Sequence, residues 1–365
     1  MLTTLLVGII LLYLIMMLVL RVGMERSTQA VGAKDYEPHV SIIVAARNEE
    51  QCIQQCIESL LKIDYPWEKL ECIIVNDGST DRTAEIAGRF AANDKRIKLL
   101  LANPGTGNLR GKANAVAQGI EASKGEILMF TDADCTVPAT WARNTVQYFN
   151  DHVGVVGGFT VLHANGIFEG MQALDWIFSF GIASAAAGLE MPLSVIGNNL
   201  SVYRKAYDEV GGFQGIPFSV TEDYALVQAI VNGTKYRVSF PIDGSTAVRS
   251  FACQGLYQLF RQKQRWGVGG LKMVFKGIVI MSIGWFLRTL IIISAFLSPL
   301  SIFLVAVACM LVIDFRFLFR PLQRIGILAY FKYFLAFELY YLLYVPLLPI
   351  VAVLSKNIVW KERSL

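Results

Sequence analysis

Residues 126–134 read EILMFTDAD, a short apolar run that ends in two acidic residues. A short apolar run bounded by polar residues is typical of a strand buried in a parallel sheet. Similar runs precede it, and the segments between them have a helical period, so strands alternate with helices as in an α/β fold. The predicted strands are residues 40–46, 71–75, 97–102 and 126–131, and the predicted helices are residues 49–61, 80–90 and 112–122.

Polar side chains follow three of the predicted strands. Asn48 and Glu49 come after the first strand, Asp77 after the second, and Asp132 and Asp134 after the fourth. In a parallel sheet the carboxyl ends of the strands meet at one edge, where α/β proteins bind their ligands. The sequence therefore predicts a binding site at this edge of the sheet.

Two of these clusters also have a simpler interpretation. Residues 76–81 read NDGSTD, which could be a plain turn in which Ser79 or Thr80 caps the next helix. Asp132 and Asp134 could be two solvated carboxylates in a loop. Yet two carboxylates two residues apart after a buried strand point to one side, and such oxygen ligands suit Mg²⁺ or Mn²⁺ bridging substrate phosphates. Six cysteines without a CxxC pair and three scattered histidines argue against a zinc site.

Three further segments combine charge with a predicted loop or helix end. Residues 104–113 read PGTGNLRGKA, which departs from the Walker A pattern at Thr106 and predicts a basic loop whose Lys112 opens a helix and reaches a phosphate. Thr221-Glu222-Asp223 precedes an apolar helical segment, where acidic residues also complement the helix dipole. Residues 262–266 read QKQRW and lie in a basic, aromatic segment of the kind found in interfacial helices.

Apolar residues are concentrated at the two ends of the chain. Hydrophobic residues make up 54% of the 365 residues and charged residues only 17%, which excludes a disordered chain. Residues 1–20 carry no charge, 278–313 carry only Arg288, and 333–354 carry only Glu338; about 20 apolar residues suffice to cross a bilayer. Charges inside spans are either functional or a pair that holds the helices together. The predicted organisation is a transmembrane anchor at 1–20, an α/β domain at 33–255, an interfacial helix at 256–276, spans at 278–297 and 299–315 separated at Ser298-Pro299, an amphipathic interfacial segment at 316–332 and a last span at 333–354.

Positive charges predict which side of the membrane each segment faces. Arg21 and Arg26 follow the first span, and an excess of lysine and arginine marks the cytoplasmic side. We therefore expect a multi-pass protein of the cell membrane with its α/β domain in the cytoplasm. The net charge of +4 is then topological and does not indicate a nucleic acid partner. Basic residues also flank the later spans: Lys272 and Lys276, then Arg316, Arg320 and Arg324. The end of the last span conflicts with the charge rule, because it would leave these residues outside: Lys356, Lys361 and Arg363.

Six short motifs occur in order along residues 40–270, and together they resemble a membrane-bound family 2 glycosyltransferase. That group includes cellulose, hyaluronan and chitin synthases and ceramide and carotenoid glucosyltransferases. The resemblance implies a GT-A fold, a Rossmann-like α/β domain for nucleotide-diphospho-sugars, here with transmembrane helices, and inverting transfer from a UDP-sugar. The motifs are Ala46-Arg47-Asn48-Glu49, Val75-Asn76-Asp77-Gly78-Ser79-Thr80-Asp81, Gly111-Lys112-Ala113-Asn114-Ala115, Asp132-Ala133-Asp134, Thr221-Glu222-Asp223 and Gln262-x-x-Arg265-Trp266.

The same resemblance implies a role for each motif residue. General chemistry agrees, since a metal with Lys112 and Arg265 would stabilise negative charge on a leaving diphosphate. A single displacement also needs one base for the acceptor hydroxyl, and Asp223 can serve. The implied roles are the nucleobase pocket for Glu49 and Asp77, ribose and diphosphate binding for Lys112 and Asp132, the Mg²⁺ or Mn²⁺ ion for Asp134, the general base for Asp223, the acceptor side for Glu222, and closure over diphosphate and acceptor for Gln262, Arg265 and Trp266.

The number of predicted spans favours a lipid acceptor. Channels of the polymer synthases in this group use more transmembrane helices than the four candidates here. We therefore expect transfer of one hexose, glucose being favoured, to a hydroxyl of a membrane lipid. Residues 168–180 are a candidate approach surface for that lipid, or a plain core helix. The alternatives are a processive β-glycan synthase, a non-catalytic scaffold with the same fold and, disfavoured by the QxxRW motif and the spans, a nucleotidyltransferase; the sugar, the lipid and the oligomeric state stay open.

Overall fold

The computed structural model describes residues 1–29, 36–105, 107, 109–193, 196–219, 221–270, 273–354, 359–360 and 363–364. The chain divides into two compact units. The sheet unit consists of Ser27–Val161 and Ser194–Phe251, and the helical unit consists of Met1–Arg26, Leu162–Leu193 and Ala252–Leu365. The following lie outside the described residues: Thr106, Lys272, Lys356, Lys361 and the first residues of the predicted domain at 33–255.

The secondary structure alternates as predicted in the first half of the chain and is mainly helical in the second. The strands are β1 (Val40–Ala46), β2 (Leu70–Asn76), β3 (Ile97–Leu101), β4 (Ile127–Asp132), β5 (Val153–Gly157), β6 (Thr160–His163), β7 (Leu200–Tyr203), β8 (Arg237–Ser239), β9 (Val248–Phe251), β10 (Val359–Trp360) and β11 (Arg363–Ser364). The α-helices are α1 (Leu2–Gln29), α2 (Ile53–Leu61), α3 (Thr83–Asn93), α4 (Gly111–Glu121), α5 (Trp141–Val146), α6 (Ile167–Gly188), α7 (Arg204–Glu209), α8 (Gly212–Gly215), α9 (Glu222–Gly233), α10 (Leu256–Gly270), α11 (Phe275–Leu297), α12 (Leu300–Ile325) and α13 (Phe334–Leu354). Short 3₁₀ helices lie at Trp67–Lys69, Gly197–Asn199, Gly244–Thr246 and Leu328–Tyr333.

In the described part of the sheet unit, seven strands form one sheet in the order β3-β2-β1-β4-β7-β5-β8. The four predicted strands are present, and β1 runs parallel to β2 and β4, as β2 does to β3. β7 is antiparallel to both of its neighbours, β4 and β5. The sheet is therefore mixed rather than wholly parallel, and the difference comes from a strand of four residues, too short to be recognised from its pattern.

Helices with one apolar side cover the sheet. α2, which begins later than the predicted residue 49, has buried residues separated by three or four positions, so they share one face: Ile53, Cys56, Ile57 and Leu60. Gly119 lets α4 lie close to β1, because a Cβ there would come within 2.6 Å of Ile43 Cγ2. β1 and β4 are buried along nearly their whole length, so only their ends are available for polar chemistry.

The register of the strands brings their carboxyl ends together. Ala46 pairs with Asn76, and Ala45 pairs with Asp132. The loops that follow β1, β2 and β4 therefore begin side by side. This confirms the predicted convergence of polar clusters on one edge of the sheet.

Helix α3 begins later than predicted. It starts at Thr83, so the predicted capping by Ser79 or Thr80 is wrong. Asp81 bonds the helix start instead, since its Oδ1 accepts a hydrogen bond from Thr83 N at 3.0 Å. Ser79 is used in the neighbouring loop, where its Oγ accepts a hydrogen bond from Asn48 N at 3.1 Å.

Among the described residues, four helices are long and apolar enough to cross a membrane: Leu2–Thr28, Phe275–Leu297, Leu300–Ile325 and Leu328–Val351. The predicted break at Ser298-Pro299 separates the second from the third. α12 continues past residue 316, so the predicted boundary between a span and an amphipathic segment is not a helix end. Gly326 ends this helix in a left-handed conformation, with a φ of 82°.

A charged cluster lies among the candidate spans of the helical unit. Arg288 Nη2 is 2.7 Å from Asp314 Oδ2, and the two side chains are 1% and 0% exposed. Tyr13 donates a hydrogen bond to Asp314 Oδ1, and Glu338 lies beside the same carboxylate. Arg288 therefore pairs with Asp314, and over the residues that the structure describes it forms no ion pair with Glu338, the partner that one of the two sequence-based alternatives gave it. Asp314, the direct partner of Arg288, lies one residue beyond the apolar stretch 278–313 and was not singled out.

Candidate active site

The loops after β1 and β2 are bonded to each other. Asn48 Oδ1 accepts a hydrogen bond from Thr80 N at 2.9 Å, and Glu49 N donates to Thr83 Oγ1 at 2.8 Å. Asn48 has a φ of 53°, a left-handed conformation that asparagine tolerates better than most residues. These bonds hold the backbone of Glu49 against the loop that carries Asp77.

Asp77 is also held by the end of β1. Its N–H donates a hydrogen bond to Ala46 O at 2.9 Å, and its carbonyl oxygen accepts one from Arg47 Nη1 at 2.7 Å. The whole residue is only 8% exposed. Glu49 and Asp77, predicted together for the nucleobase, thus belong to one bonded pair of loops.

Lys112 lies among three of the predicted acidic residues. It is the second residue of α4, and its Nζ donates a hydrogen bond to Asp132 Oδ1. Glu222 Oε1 is 3.7 Å from the same nitrogen, and the carboxylate of Asp223 is near enough to act on its charge. Two sheet-edge motifs and the start of α9 therefore meet at one ammonium group.

These carboxylates control the protonation of Lys112. Burial by itself lowers the pKa of an ammonium group, but the negative charges of Asp132, Glu222 and Asp223 outweigh it and raise the pKa of Lys112 above its ordinary value. Lys112 therefore keeps its positive charge throughout the physiological pH range.

Asp223 is oriented by backbone N–H groups. Its Oδ2 accepts a hydrogen bond from Gly197 N, and its Oδ1 accepts one from Tyr224 N, each at 2.7 Å. A Cβ at residue 197 would lie 3.2 Å from Asp223 Oδ2 and 3.5 Å from Lys112 Nζ, so a larger residue there would disturb the carboxylate. A carboxylate oxygen has two lone pairs, and Asp223 can therefore still accept a proton.

The other three predicted residues, Gln262, Arg265 and Trp266, lie on α10 in the helical unit. Between them in the sequence, Lys263 forms a buried ion pair with Asp175 of α6, and its ammonium group lies 4.1 Å from the centre of the Trp266 ring. Gln262 Oε1 is buried and has no hydrogen-bond partner in the part of the chain that is described. The predicted residues are thus divided, with seven in the sheet unit and three in the helical unit.

The sequence profile of glycosyl transferase family 2 matches residues 41–225, about half of the chain. This chain belongs to glycosyl transferase family 2. The match runs from β1 into α9, so it contains all seven site residues of the sheet unit. The predicted family and the predicted GT-A fold are confirmed.

Two curated relatives of this family 2 glycosyltransferase are synthases of different products. Beta-monoglucosyldiacylglycerol synthase from Synechocystis is 27% identical over 262 residues, which are 68% of this chain and 52% of the relative. Poly-beta-1,6-N-acetyl-D-glucosamine synthase from Staphylococcus epidermidis is 27% identical over 241 residues, which are 65% of this chain and 56% of the relative. The chain thus spans about half the length of these curated relatives.

A solved structure shares the fold of this family 2 glycosyltransferase. It is the mannosyltransferase PcManGT from Pyrobaculum calidifontis in complex with GDP-Man and Mn²⁺, with a TM-score of 0.60 and 20% sequence identity. The alignment covers 94% of this chain and 99% of the mannosyltransferase. At this level of identity the likeness shows the fold alone.

Asp132 and Asp134 suit a divalent cation in such an enzyme. Both are partly exposed, whereas Ala133 and Cys135 are 1% and 0% exposed, so the two carboxylates leave the core on one side. Over the described residues, no group of three or more His, Cys, Asp or Glu side chains could hold a metal ion. Mg²⁺ usually keeps water ligands and binds one or two carboxylates together with substrate phosphates, so the donor pair fits that kind of site.

Cys56 lies behind this pair of carboxylates. Its Sγ is 3.7 Å from Asp132 O. Burial and, after it, nearby negative charges that include Asp134 and Glu49 raise the pKa of the Cys56 thiol. Cys56 thus lies near the end of β4, which the pairing of Ala45 with Asp132 places beside the end of β1.

Asn199 is a buried residue that positions the segment beginning at Gly197, a role that its place in the sequence does not indicate. It is 3% exposed, accepts a hydrogen bond from Trp141 Nε1 at 3.0 Å, and donates to Phe159 O at 2.8 Å and Thr246 O at 3.0 Å. These bonds hold the short segment that begins at Gly197. Buried amides almost always have hydrogen-bond partners, but two adjacent asparagines before an apolar strand do not show which partners these are.

Proposed function

We propose that the protein is an inverting glycosyltransferase that moves a hexose, glucose being favoured, from a UDP-sugar to a hydroxyl of a membrane lipid. The observation that carries this proposal is the grouping of Lys112 with Asp132, Glu222 and Asp223 at the sheet edge. It places a permanent cation beside a carboxylate that can act as a base. The reaction needs both, because a diphosphate leaves as a hydroxyl attacks.

The donor side of the proposed site uses the loops after β1, β2 and β4. Glu49 and Asp77 receive the nucleobase, and Lys112 and Asp132 bind the ribose and the diphosphate. Asp134 would hold Mg²⁺ or Mn²⁺, which when bound would supply positive charge for the leaving phosphates. Lys112 adds a fixed positive charge of its own and, because its pKa is raised, needs no change of protonation during the reaction.

The acceptor side uses the start of α9 and the residues of α10. Asp223 takes the proton of the acceptor hydroxyl while the bond to the sugar forms on the face opposite the leaving group, which inverts the anomeric carbon. Glu222 shapes the acceptor side. Gln262, Arg265 and Trp266 close over the diphosphate and the acceptor.

Two findings support a lipid acceptor and a membrane location. Four helices are long and apolar enough to cross a membrane, and one relative is named a beta-monoglucosyldiacylglycerol synthase. We place the protein in the cell membrane as a multi-pass protein with its catalytic domain on the cytoplasmic side.

The relative named as a poly-beta-1,6-N-acetyl-D-glucosamine synthase supports processive β-glycan synthesis as the second candidate. The mannosyltransferase complex contains GDP-Man and Mn²⁺. This supports a divalent cation as cofactor, and it is the reason to include GDP-mannose among the donors in the test.

The test is a transfer assay with the purified full-length protein. UDP-glucose, UDP-galactose, UDP-N-acetylglucosamine and GDP-mannose are each supplied with Mg²⁺ or Mn²⁺ and a mixed membrane lipid extract, and products are identified by mass spectrometry. We expect a lipid heavier by one hexose when UDP-glucose is the donor. A long polymer would establish the processive alternative. If the protein neither transfers nor hydrolyses any of these donors, the interpretation as a non-catalytic scaffold is the one that remains.

A further inference from the structure

A cavity of about 470 Å³ lies in the helical unit between α1 and α12. Its lining combines three arginines and a glutamine with two phenylalanines: Arg21, Phe315, Arg316, Phe319, Arg320 and Gln323. None of these residues belongs to the proposed transfer site. The cavity therefore needs an explanation of its own.

The cavity has an excess of positive charge. Arg320 Nε lies 3.5 Å from Glu25 Oε1, but the same carboxylate also accepts a hydrogen bond from Arg324 at 2.8 Å. Arg21 and Arg316 make no ion pair or hydrogen bond with any residue that the structure describes. Like charges at such a cavity repel each other, so an anion bound between them would lower the energy of the arrangement.

The residue types favour a phosphate group. The guanidinium of arginine presents several N–H donors in a planar fork, which matches two phosphate oxygens at once. Gln323 adds an amide donor at the same wall. An inorganic ion, however, would make no use of an apolar wall, and Phe315 and Phe319 remain 40% and 39% exposed although both rings stack on Phe331.

The position of the arginines favours a lipid as the source of that phosphate. Arg21 follows the apolar residues 1–20, and Arg316 and Arg320 lie beyond the apolar part of α12. In helices that cross a bilayer, such positions lie where the hydrocarbon gives way to the headgroups. Exposed phenylalanine rings beside them would meet glycerol and acyl carbons.

We propose that this cavity binds the phosphate of an anionic membrane phospholipid, with Arg21 and Arg316 as its main ligands. Phe315 and Phe319 lie against the apolar part of the same lipid. The site is additional to those for the donor and the acceptor of the transfer reaction, and its test does not depend on that reaction.

The test measures lipid binding to the full-length protein in detergent after removal of native lipids. Phosphatidylglycerol, phosphatidylcholine and inorganic phosphate are titrated separately, with the melting temperature and lipid adducts in native mass spectrometry as readouts. We expect phosphatidylglycerol to stabilise the wild type and to bind roughly tenfold or more weakly to the Arg21→Gln/Arg316→Gln variant. Lys276→Gln is the matched control, because Lys276 is an exposed basic residue at the start of α11 that does not line the cavity.

Four outcomes would overturn the proposal. Equal affinity for phosphatidylglycerol in the double variant and in Lys276→Gln would mean a general attraction of basic residues to anionic lipid. Equal stabilisation by phosphatidylcholine would remove the need for an anionic lipid, and equal stabilisation by inorganic phosphate would remove the lipid. If the glutamine variant does not fold, Arg21→Lys/Arg316→Lys keeps the charge and loses the fork. Unchanged binding in that variant would also contradict the proposal.

Discussion

Asp223 is the residue through which the proposed reaction moves its proton. We predict that Asp223→Asn lowers the rate of transfer by roughly 100-fold or more, because an amide cannot accept the proton of the acceptor hydroxyl. Donor binding should survive, since asparagine has nearly the same shape and its one oxygen can still accept the hydrogen bond from Gly197 N, although its NH₂ group cannot accept the bond from Tyr224 N. Turnover and the affinity for UDP, measured by calorimetry on the same sample, check both parts.

The matched control for this change is Asp151→Asn, which alters an exposed aspartate of the sheet unit. It should keep wild-type turnover. Unchanged turnover in Asp223→Asn would remove Asp223 from the mechanism, and loss of UDP affinity in that variant would mean that the residue holds the donor.

Lys112 is expected to act on both stability and donor binding. Lys112→Met leaves Asp132, Glu222 and Asp223 without their shared cation, so the melting temperature should fall and donor affinity should fall by roughly tenfold or more. A folded-state pKa raised above the unfolded value adds stability that is present below the unfolded pKa and is lost as pH rises through the folded pKa. The difference in melting temperature from the wild type should therefore stay constant between about pH 6 and about pH 9. A difference that shrinks within that range would contradict the assignment.

Helices α6 and α10 are joined by a buried ion pair. The side chains of Lys263 and Asp175 are 5% and 2% exposed, and removing one partner of such a pair typically costs about 3–5 kcal/mol. We predict that Lys263→Met and Asp175→Asn each lower the melting temperature, and that the double variant recovers part of the loss because no uncompensated charge remains. Thermal unfolding of the three variants in one detergent measures this, with the exposed Lys205→Met as control.

An additive double variant would show that the two residues are not coupled.

The elements that could be predicted are those with a local signal. The buried strand from Val40 to Ala46 and the helix break at Ser298-Pro299 follow from short stretches of sequence, and parallel strands whose ends meet are enough to predict the edge that carries Asp132. The start of α3 could not be placed, because the choice between Ser79 and Asp81 depends on Asn48 in a different loop. A local sequence pattern does not show which residue of a distant loop a side chain will bond.

Pairings between distant residues were missed for the same reason. Arg288 was recognised as an isolated charge in an apolar segment, but its partner Asp314 lies on another helix and looks like an ordinary residue at the end of a span. The hydrogen bond from Gly197 N to Asp223 joins residues 26 positions apart in sequence. Residue types narrow the possible partners of a buried charge, and only the packed structure selects one.

The two units alternate along the sequence. The helical unit takes residues from both ends and from the middle, with α6 supplied by the stretch Leu162–Leu193. In α6, Phe178 packs against three aromatic rings of the last two candidate spans, with ring centres 5.2–5.8 Å apart: Phe317, Phe337 and Tyr341. The stretch Leu162–Leu193 falls inside the domain predicted at 33–255, whereas in the structure it belongs to the helical unit.

This interleaving predicts the result of truncation. A chain that ends at residue 251 retains α6 but loses α10 to α13, so the apolar side of α6 has no partners and we expect aggregation or rapid proteolysis. A chain shortened only to residue 354 is the control and should behave as the full-length protein. Yield of monodisperse protein on size exclusion in detergent is the measurement. A soluble, monodisperse chain ending at residue 251 would show that α6 is stable without those helices.

The place of α6 in the chain also has a consequence for biosynthesis. A ribosome completes this largely apolar helix before it has made β7 and β8, and before it has made any of the C-terminal helices against which Phe178 packs. During that interval the nascent chain exposes an apolar helix whose packing partners have not yet been synthesised. We therefore expect its folding to depend on a chaperone or on the translocation machinery. Slowing translation between residues 188 and 252 should therefore lower the yield of folded enzyme, whereas slowing it before residue 160 should have little effect.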